Sequence, residues 1–398
     1  MTKSRPWIAA LLLSAAACAP DTTDPLAAEP ASSPDTSVDL RGLAAAYGWE
    51  RLDDETIAAI NVSGENPADA LGVAAVLVTA GEVFRVPRED LEAMAEPLDG
   101  RTFTDGWAGD DAPQAQPQEP EVAPEGEPEA APTSALLWGP YPRNPVLPEL
   151  IVRGFIRYWN LSTAPYRQIA QITIGTNAAP IVDICSGSFI GPRHVLTSGH
   201  CFDFIGEVLP LSTITVRAGT SSNVTLLTKS TTTYFRLGTL SGTDLALVVL
   251  PDTSDVANTG WYGWELLGSG NVGNNMRIYG YPNPSDLCFS PYTHPNSPYC
   301  GDASNRPILW GANCWIDDLT SSHIEYKCDQ SGGMSGGPIS RSVGTSSRVA
   351  GVIKGHLGGG EVGQRLTQFS ITTLCTFAAA TPSVYKPGYN CFSGATGF

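Results

Sequence analysis

The chain has 398 residues, with 40 Asp plus Glu against 23 Lys plus Arg and a formal net charge of −17. Residues 19–135 hold 25 acids against five arginines and no lysine, whereas residues 136–398 hold 15 acids and 16 bases. The near-neutral C-terminal part therefore offers no basic face for nucleic acid and no polybasic patch for a membrane surface, which excludes both binding classes there.

At the N-terminus, Lys3 and Arg5 precede an apolar run from Trp7 to Leu13. The run is too short to cross a bilayer and has the form of an export signal. Ala15-Ala16-Ala17-Cys18 is similar to a bacterial lipobox, with Ala15 where Leu is usual; simple signal cleavage fits the same run. Residues 1–17 are read as the signal peptide. Nine cysteines are an odd number for an exported chain, and setting Cys18 aside as the lipid site leaves eight.

Residues 18–107 are read as a prosegment or N-terminal module. Leu40 to Ile60 has helical spacing, Gly72 to Thr79 and Glu82 to Val86 form a hairpin pattern, and Arg88 to Met94 a short helix. Three readings stay open: an inhibitory or chaperoning propeptide, a small module with no bearing on catalysis, or a largely disordered segment. Residues 108–135 form an acidic linker, since Asp110 to Ser134 is rich in Pro, Ala, Glu and Gln with almost nothing bulky to bury.

Beyond residue 150, helical periodicity is scarce. Ile214 to Ala218 and Leu245 to Val249 alternate in the manner of half-buried strands, with Gly, Pro, Ser and Asn clustered between such stretches. Residues 136–398 are long enough to bury two small cores without an external scaffold.

Three segments carry the chemistry: Ser198-Gly199-His200-Cys201, Thr243-Asp244-Leu245 and Gly333-Met334-Ser335-Gly336-Gly337-Pro338. His200 and Asp244 are 44 residues apart, and Asp244 and Ser335 are 91 apart. A serine hydroxyl is a weak nucleophile at neutral pH, so Ser335 needs an imidazole in reach, and that imidazole needs a buried acceptor to fix its tautomer. His200 and Asp244 supply these roles. A developing oxyanion needs unobstructed backbone donors, for which the N–H groups of Gly333 and Ser335 are the candidates, with Gly332, Gly333 and Gly336 leaving the approach open. Each segment alone is an ordinary turn or strand end; their conjunction points to acyl transfer.

Cys185-Ser186-Gly187-Ser188-Phe189-Ile190 followed by Val195 to Cys201 resembles the histidine loop of chymotrypsin-fold serine proteases. Gly199, the run Cys328 to Gly333, and Ala164 to Ile172 are more similar to the bacterial glutamyl-endopeptidase branch. The resemblance covers about residues 150 to 375. It implies an all-β fold of two six-stranded antiparallel β-barrels with the active site between them, preceded here by a small α/β or partly disordered prosegment.

The same resemblance supports the disulfides Cys185–Cys201 and Cys314–Cys328, while Cys288 with Cys300 and Cys375 with Cys391 are paired from proximity. Cys-x-x-Cys and His-x-x-x-His patterns are missing, so no metal and no cofactor is expected. Digestive relatives place an aspartate just before the nucleophile to pair with a newly cut N-terminus; Met334 stands there, so that route of activation is unavailable. His194 is read as a strand-end surface residue, His294 and His323 as noncatalytic, and Tyr279-Gly280-Tyr281-Pro282 as a core strand of the second barrel.

Substrate preference rests on two cues. Asp329, six residues before Ser335, occupies the position that pairs with substrate Arg or Lys in trypsin-like enzymes. His356, on the strand from Gly351, matches the histidine that reads a substrate glutamate in the glutamyl branch, with Lys354 and Arg365 adding positive charge. A gap-free match puts Ile353 at that reading position, and His356 then becomes a turn residue before Gly358-Gly359-Gly360. The expected protein is an exported, monomeric serine endopeptidase of the cell envelope or medium, acting on peptides or proteins with cleavage after acidic residues. It touches a membrane only through the Cys18 lipid. Alternatives are a protease-like binding or adhesion module without turnover, or an acidic N-terminal binding unit supported by the rest.

Overall fold

The computed structural model describes residues 40–63, 71–95, 154–155, 164–175, 183–202, 213–221, 224–238, 243–283, 309–328, 330, 332–343, 346–357 and 360–393. Cys18, Cys288, Cys300, His294 and Asp329 lie outside them.

The N-terminal module has helices α1 (Arg41–Tyr47) and α2 (Asp54–Ser63), strands β1 (Ala75–Thr79) and β2 (Glu82–Val86), and helix α3 (Arg88–Ala95). The single helical stretch expected over Leu40 to Ile60 is two helices, because Gly48 takes a left-handed φ of 68° and ends α1. Ala80 and Gly81 turn the β1–β2 hairpin with φ of 49° and 77°, the twist a two-residue hairpin favours. Residues 40–63 and 71–95 are thus folded, contrary to the disordered reading.

The remaining strands are β3 (Gly154–Phe155), β4 (Ile169–Gly175), β5 (Asp183–Phe189), β6 (His194–Thr197), β7 (Thr213–Ser221), β8 (Val224–Thr231), β9 (Tyr234–Leu237), β10 (Ala246–Val249), β11 (Gly263–Trp264), β12 (Asn275–Gly280), β13 (Trp310–Leu319), β14 (His323–Tyr326), β15 (Pro338–Val343), β16 (Ser346–Leu357) and β17 (Gly360–Arg365). Strands β16, β15, β12, β13, β14 and β17 pair in that order, all antiparallel, and β17 pairs back onto β16, closing a six-stranded barrel. The other sheet runs β2-β1-β9-β10-β6-β5-β4-β7-β8. Both expected sheets are present, but the first is wider than expected because the module's hairpin joins it at β9.

The hairpin's two faces enter different cores. Val76, Val78 and Val83 are buried with Tyr234, Val195 and Val248 inside the first barrel. Leu77, Phe84 and Val86 face the other way, among Phe235, Leu237 and Phe377. The described residues accordingly form one compact unit. Val76, Val78 and Val83 of the module thus share the core of the first barrel with residues of the C-terminal part, where the sequence implies two cores buried without outside residues.

A C-terminal helix, α4 (Gln368–Ala380), was not expected. Thr367 caps it by accepting from the Ser370 N–H at 3.2 Å, and Phe377 stacks on Phe235 with ring centroids 3.5 Å apart. The helix end also corrects His194, which is fully buried rather than at the surface. Its Nε2 meets Thr381 Oγ1 at 2.7 Å, and that hydroxyl donates onward to the Phe377 carbonyl at 3.1 Å. Nε2 therefore carries the proton of a neutral ring.

Burial, with the charge of Arg193 beside it, pushes His194 down from 6.5 to about 3. Between those values the unfolded chain takes up a proton that the folded chain refuses, so stability falls as pH drops below 6.5. This group contributes up to about 1.4 kcal/mol per pH unit. Urea midpoints measured from pH 7.5 to 5 should decline for the native chain and decline less for His194→Gln; equal slopes would remove His194 as the cause.

Candidate active site

His200 lies in a single 3-10 turn, Gly199–Phe202, that follows β6, and Asp244 lies just before β10. Strands β6 and β10 are hydrogen-bonded neighbours with Thr197 opposite Ala246, so the two residues leave adjacent strand ends side by side. Asp244 Oδ2 is 2.8 Å from His200 Nδ1, and Oδ1 accepts the His200 backbone N–H at 2.7 Å. A carboxylate only accepts, so Nδ1 carries the ring proton and Nε2 is left with its lone pair. Gly199 permits this contact: a Cβ there would sit 3.1 Å from Asp244 Oδ1 and 3.2 Å from the Leu245 nitrogen.

Burial alone would raise the Asp244 carboxyl, but hydrogen bonds from the His200 ring and backbone, with the charge of Lys354 behind them, hold it below 3.8. The Asp244 backbone is fixed from the second barrel as well. Its N–H donates to Gln364 Oε1 at 3.0 Å, and the Gln364 amide donates to the Ser322 carbonyl at 2.9 Å.

The turn that carries Ser335 is fixed by backbone stitching. The Ser335 carbonyl accepts the Ser186 N–H at 2.7 Å, and the Ser186 hydroxyl donates to the Gly333 carbonyl at 2.7 Å while accepting the Tyr281 N–H at 2.7 Å. The Ile353 carbonyl accepts both Ser198 Oγ and the Gly336 N–H, each at 2.8 Å. The serine turn is thus tied to β5 at Ser186 and, through the shared Ile353 carbonyl, to Ser198 just before the histidine turn. Gly336, at φ 81°, packs so closely on Thr197 and Ser186 that a Cβ would overlap Thr197 Oγ1 and the Ser186 carbonyl. Gly333, at φ 85°, approaches the Tyr281 carbonyl, where a Cβ would sit at 2.6 Å. Among the described residues the N–H groups of Gly333 and Ser335 have no protein acceptor. Met334 is fully buried against Gly280.

Among the described residues the expected disulfides Cys185–Cys201, Cys314–Cys328 and Cys375–Cys391 are formed; the pairing of Cys288 with Cys300 lies outside them. The first clamps the residue beside His200 to β5.

Ile353 is buried in the second barrel core, so its side chain is unavailable to read a substrate. A bulge between Ile353 and Gly355 in the β16–β17 ladder makes Lys354 the extra residue, and Lys354 Nζ reaches His323 Nε2 at 3.3 Å. His323 is lowered from 6.5 by burial first and Lys354 second. Beyond the bulge His356 stands on β16 opposite Glu361. Arg365 stands opposite Gly351 of this strand, and its guanidinium donates to the carbonyls of Thr320 at 2.6 Å and of Leu267. Gln330 is buried beside it, accepting from the Tyr326 hydroxyl at 2.5 Å and donating to the Gly355 carbonyl.

Compared with known protein families, residues 160–373, more than half of the chain, match Trypsin. The chain belongs to the trypsin family. Among curated proteins, this trypsin-family chain is 28% identical over 188 residues to a glutamyl endopeptidase of Bacillus licheniformis, covering 46% of this chain and 51% of that protein. It thus spans about half the length of that relative. Among solved structures it is similar to a Glu endopeptidase in complex with MPD, at TM-score 0.45 and 19% identity over 56% of this chain and 94% of that one. It is also similar to the protease Anisep from Arthrobacter nicotinovorans, at TM-score 0.39 and 17% identity over 55% and 97%.

Ser186 and Gln364 are the positioning groups that motif reading missed. The sequence signal for Ser186 was its place between Cys185 and Gly187 in the histidine-loop pattern; Gln364 had none. Truncating Ser186 to Ala strands a buried carbonyl at Gly333 and a buried N–H at Tyr281, at about 1–3 kcal/mol for each group left unpaired. Urea unfolding of Ser186→Ala should show a loss of about 2–6 kcal/mol for the two groups together, and a midpoint equal to the native one would show that the hydroxyl is dispensable.

Proposed function

We propose that this trypsin-family protease is an exported serine endopeptidase that cleaves peptide bonds through an acyl-enzyme on Ser335. The observation that carries the reading is the Asp244 carboxylate held on both the ring and the backbone N–H of His200. With Nδ1 protonated, Nε2 is the base: it takes the Ser335 proton as Oγ attacks the carbonyl carbon, then returns it to the leaving amine. The N–H groups of Gly333 and Ser335 receive the oxyanion. Among the described residues no hydrogen bond joins Ser335 Oγ to His200, a contact that in such sites commonly tightens only with substrate bound.

For residue preference we infer cleavage after acidic residues, read by His356. Support comes from the match of this strand to the glutamyl branch and from the name of the Bacillus relative. Export is supported by three disulfides, which persist in oxidising compartments, and by the leader-like sequence of residues 1–17; the proposal includes a lipid on Cys18. Among the described residues no helix is long and apolar enough to cross a membrane. The domain reading stays as 1–17 signal, 18–107 module, 108–135 linker and 136–398 protease.

A fluorophosphonate should label the native chain and leave Ser335→Ala unlabelled, and Asp244→Asn should lose about 10⁴-fold in kcat. Native protein that fails to label would favour the binding-module alternative. On a peptide library, cleavage after Glu weakened by His356→Ala supports the acidic preference; dominant cleavage after Arg or Lys, abolished by Asp329→Ser, overturns it. Detergent partitioning of the native chain, lost in Cys18→Ser, tests the anchor.

A further inference from the structure

Strand β9 has β10 on one side and the module's β1 on the other, with Val76 opposite Arg236 and Leu77 opposite Phe235. The Gly238 N–H donates to the Ala74 carbonyl at 2.7 Å. Without β1, β9 would be a bare edge with unmatched backbone groups and an uncovered barrel interior. The attachment extends beyond the sheet. The Met94 carbonyl at the end of α3 accepts Thr376 Oγ1 of α4 at 2.9 Å, and the Trp49 ring stacks on Phe377 at 5.8 Å.

The same strand reaches the candidate active site through one side chain. Arg236 is only 2% exposed, and its Nε donates to the Gly199 carbonyl at 2.9 Å while Nη1 donates to the Leu237 carbonyl at 3.0 Å. The Gly199 carbonyl and the His200 N–H belong to one peptide group. Arg236 therefore holds that peptide by its oxygen, and Asp244 holds it by its nitrogen at 2.7 Å. A cation on the oxygen polarises the peptide and strengthens the donation to Asp244.

We propose that residues 40–95 are a strand-donating partner that stays seated in the active enzyme and, through β9 and Arg236, positions the His200 turn, rather than an inhibitor released on activation. The partner is thus a segment of this chain, bound by strand addition. Any cut within residues 96–153 leaves all of these contacts intact. The proposal rests on the reading of His200 as the base, and Arg236 is a positioning residue that touches no substrate.

The test uses the full chain with a specific protease site inserted within residues 110–134. After cutting, both fragments should co-elute from a sizing column without denaturant, and fluorophosphonate labelling of the cut protein should match that of the uncut chain. Separation of the fragments with labelling kept or increased overturns the proposal. If the uncut chain itself does not label, the catalytic reading fails separately, and co-elution or separation still decides whether the module stays seated. In the uncut chain, Arg236→Met should lower kcat about tenfold with KM unchanged, and Arg236→Lys should recover part of the loss. Unchanged kcat in Arg236→Met overturns the positioning role.

Discussion

One carboxylate organises the candidate active site. Asp244 bonds the backbone and ring of the same residue, so the position of the His200 turn and the tautomer of its imidazole are fixed together. Charge at that depth is tolerable because two donors from His200, one on each oxygen, converge on the carboxylate; the Asp244 N–H is separately satisfied by Gln364. The result couples the barrels. Asp244 belongs to the first sheet and Gln364 to β17 of the second, so relative sliding of the barrels would break the bond that fixes the acid.

The legible parts were those whose chemistry demands particular residue types. His200, Asp244 and Ser335 could be proposed because the roles of nucleophile, base and acceptor permit few residue types, and Gly336 because a serine turn with an open approach calls for glycine; its Cβ would overlap Thr197 and Ser186. Strand patterns at β7 and β10 and the module's hairpin were legible from alternation and turn residues. Helix α4 was missed because an apolar run buried on most sides shows little helical periodicity, although Thr367 and Ser370 offered a capping signal. Gln364 and His194 were illegible for a different reason. Their roles depend on which residue lies opposite in space, and a polar side chain inside a strand gives no sign of whether it faces water or a buried partner.

Placement of the hairpin at β9 follows the same logic. Alternation predicts that Val76 and Val78 share a face, and Leu77 the other, but it does not name the strand that β1 adds to. Both faces of β1 are apolar and all five of its residues are buried, which is the pattern of a strand inside a sheet rather than at an edge. A hairpin alone in water is marginally stable. Two apolar faces on β1 therefore imply a host sheet, and β9, with aromatic residues at Tyr234 and Phe235 toward either face, supplies it.

Met334 connects this architecture to activation. Where an aspartate precedes the nucleophile, a charged N-terminus can reach in and set the serine loop. Here the residue is apolar, fully buried, and fitted against Gly280, so a new ammonium would find no partner. The loop is set instead by neutral hydrogen bonds from Ser186 and by the Gly336 N–H on the Ile353 carbonyl. Those bonds form on folding and require no cleavage. Control over the site is then left to whatever holds the first barrel in shape, and β9, flanked by β10 and by the module's β1, is where the folded N-terminal segment meets that barrel.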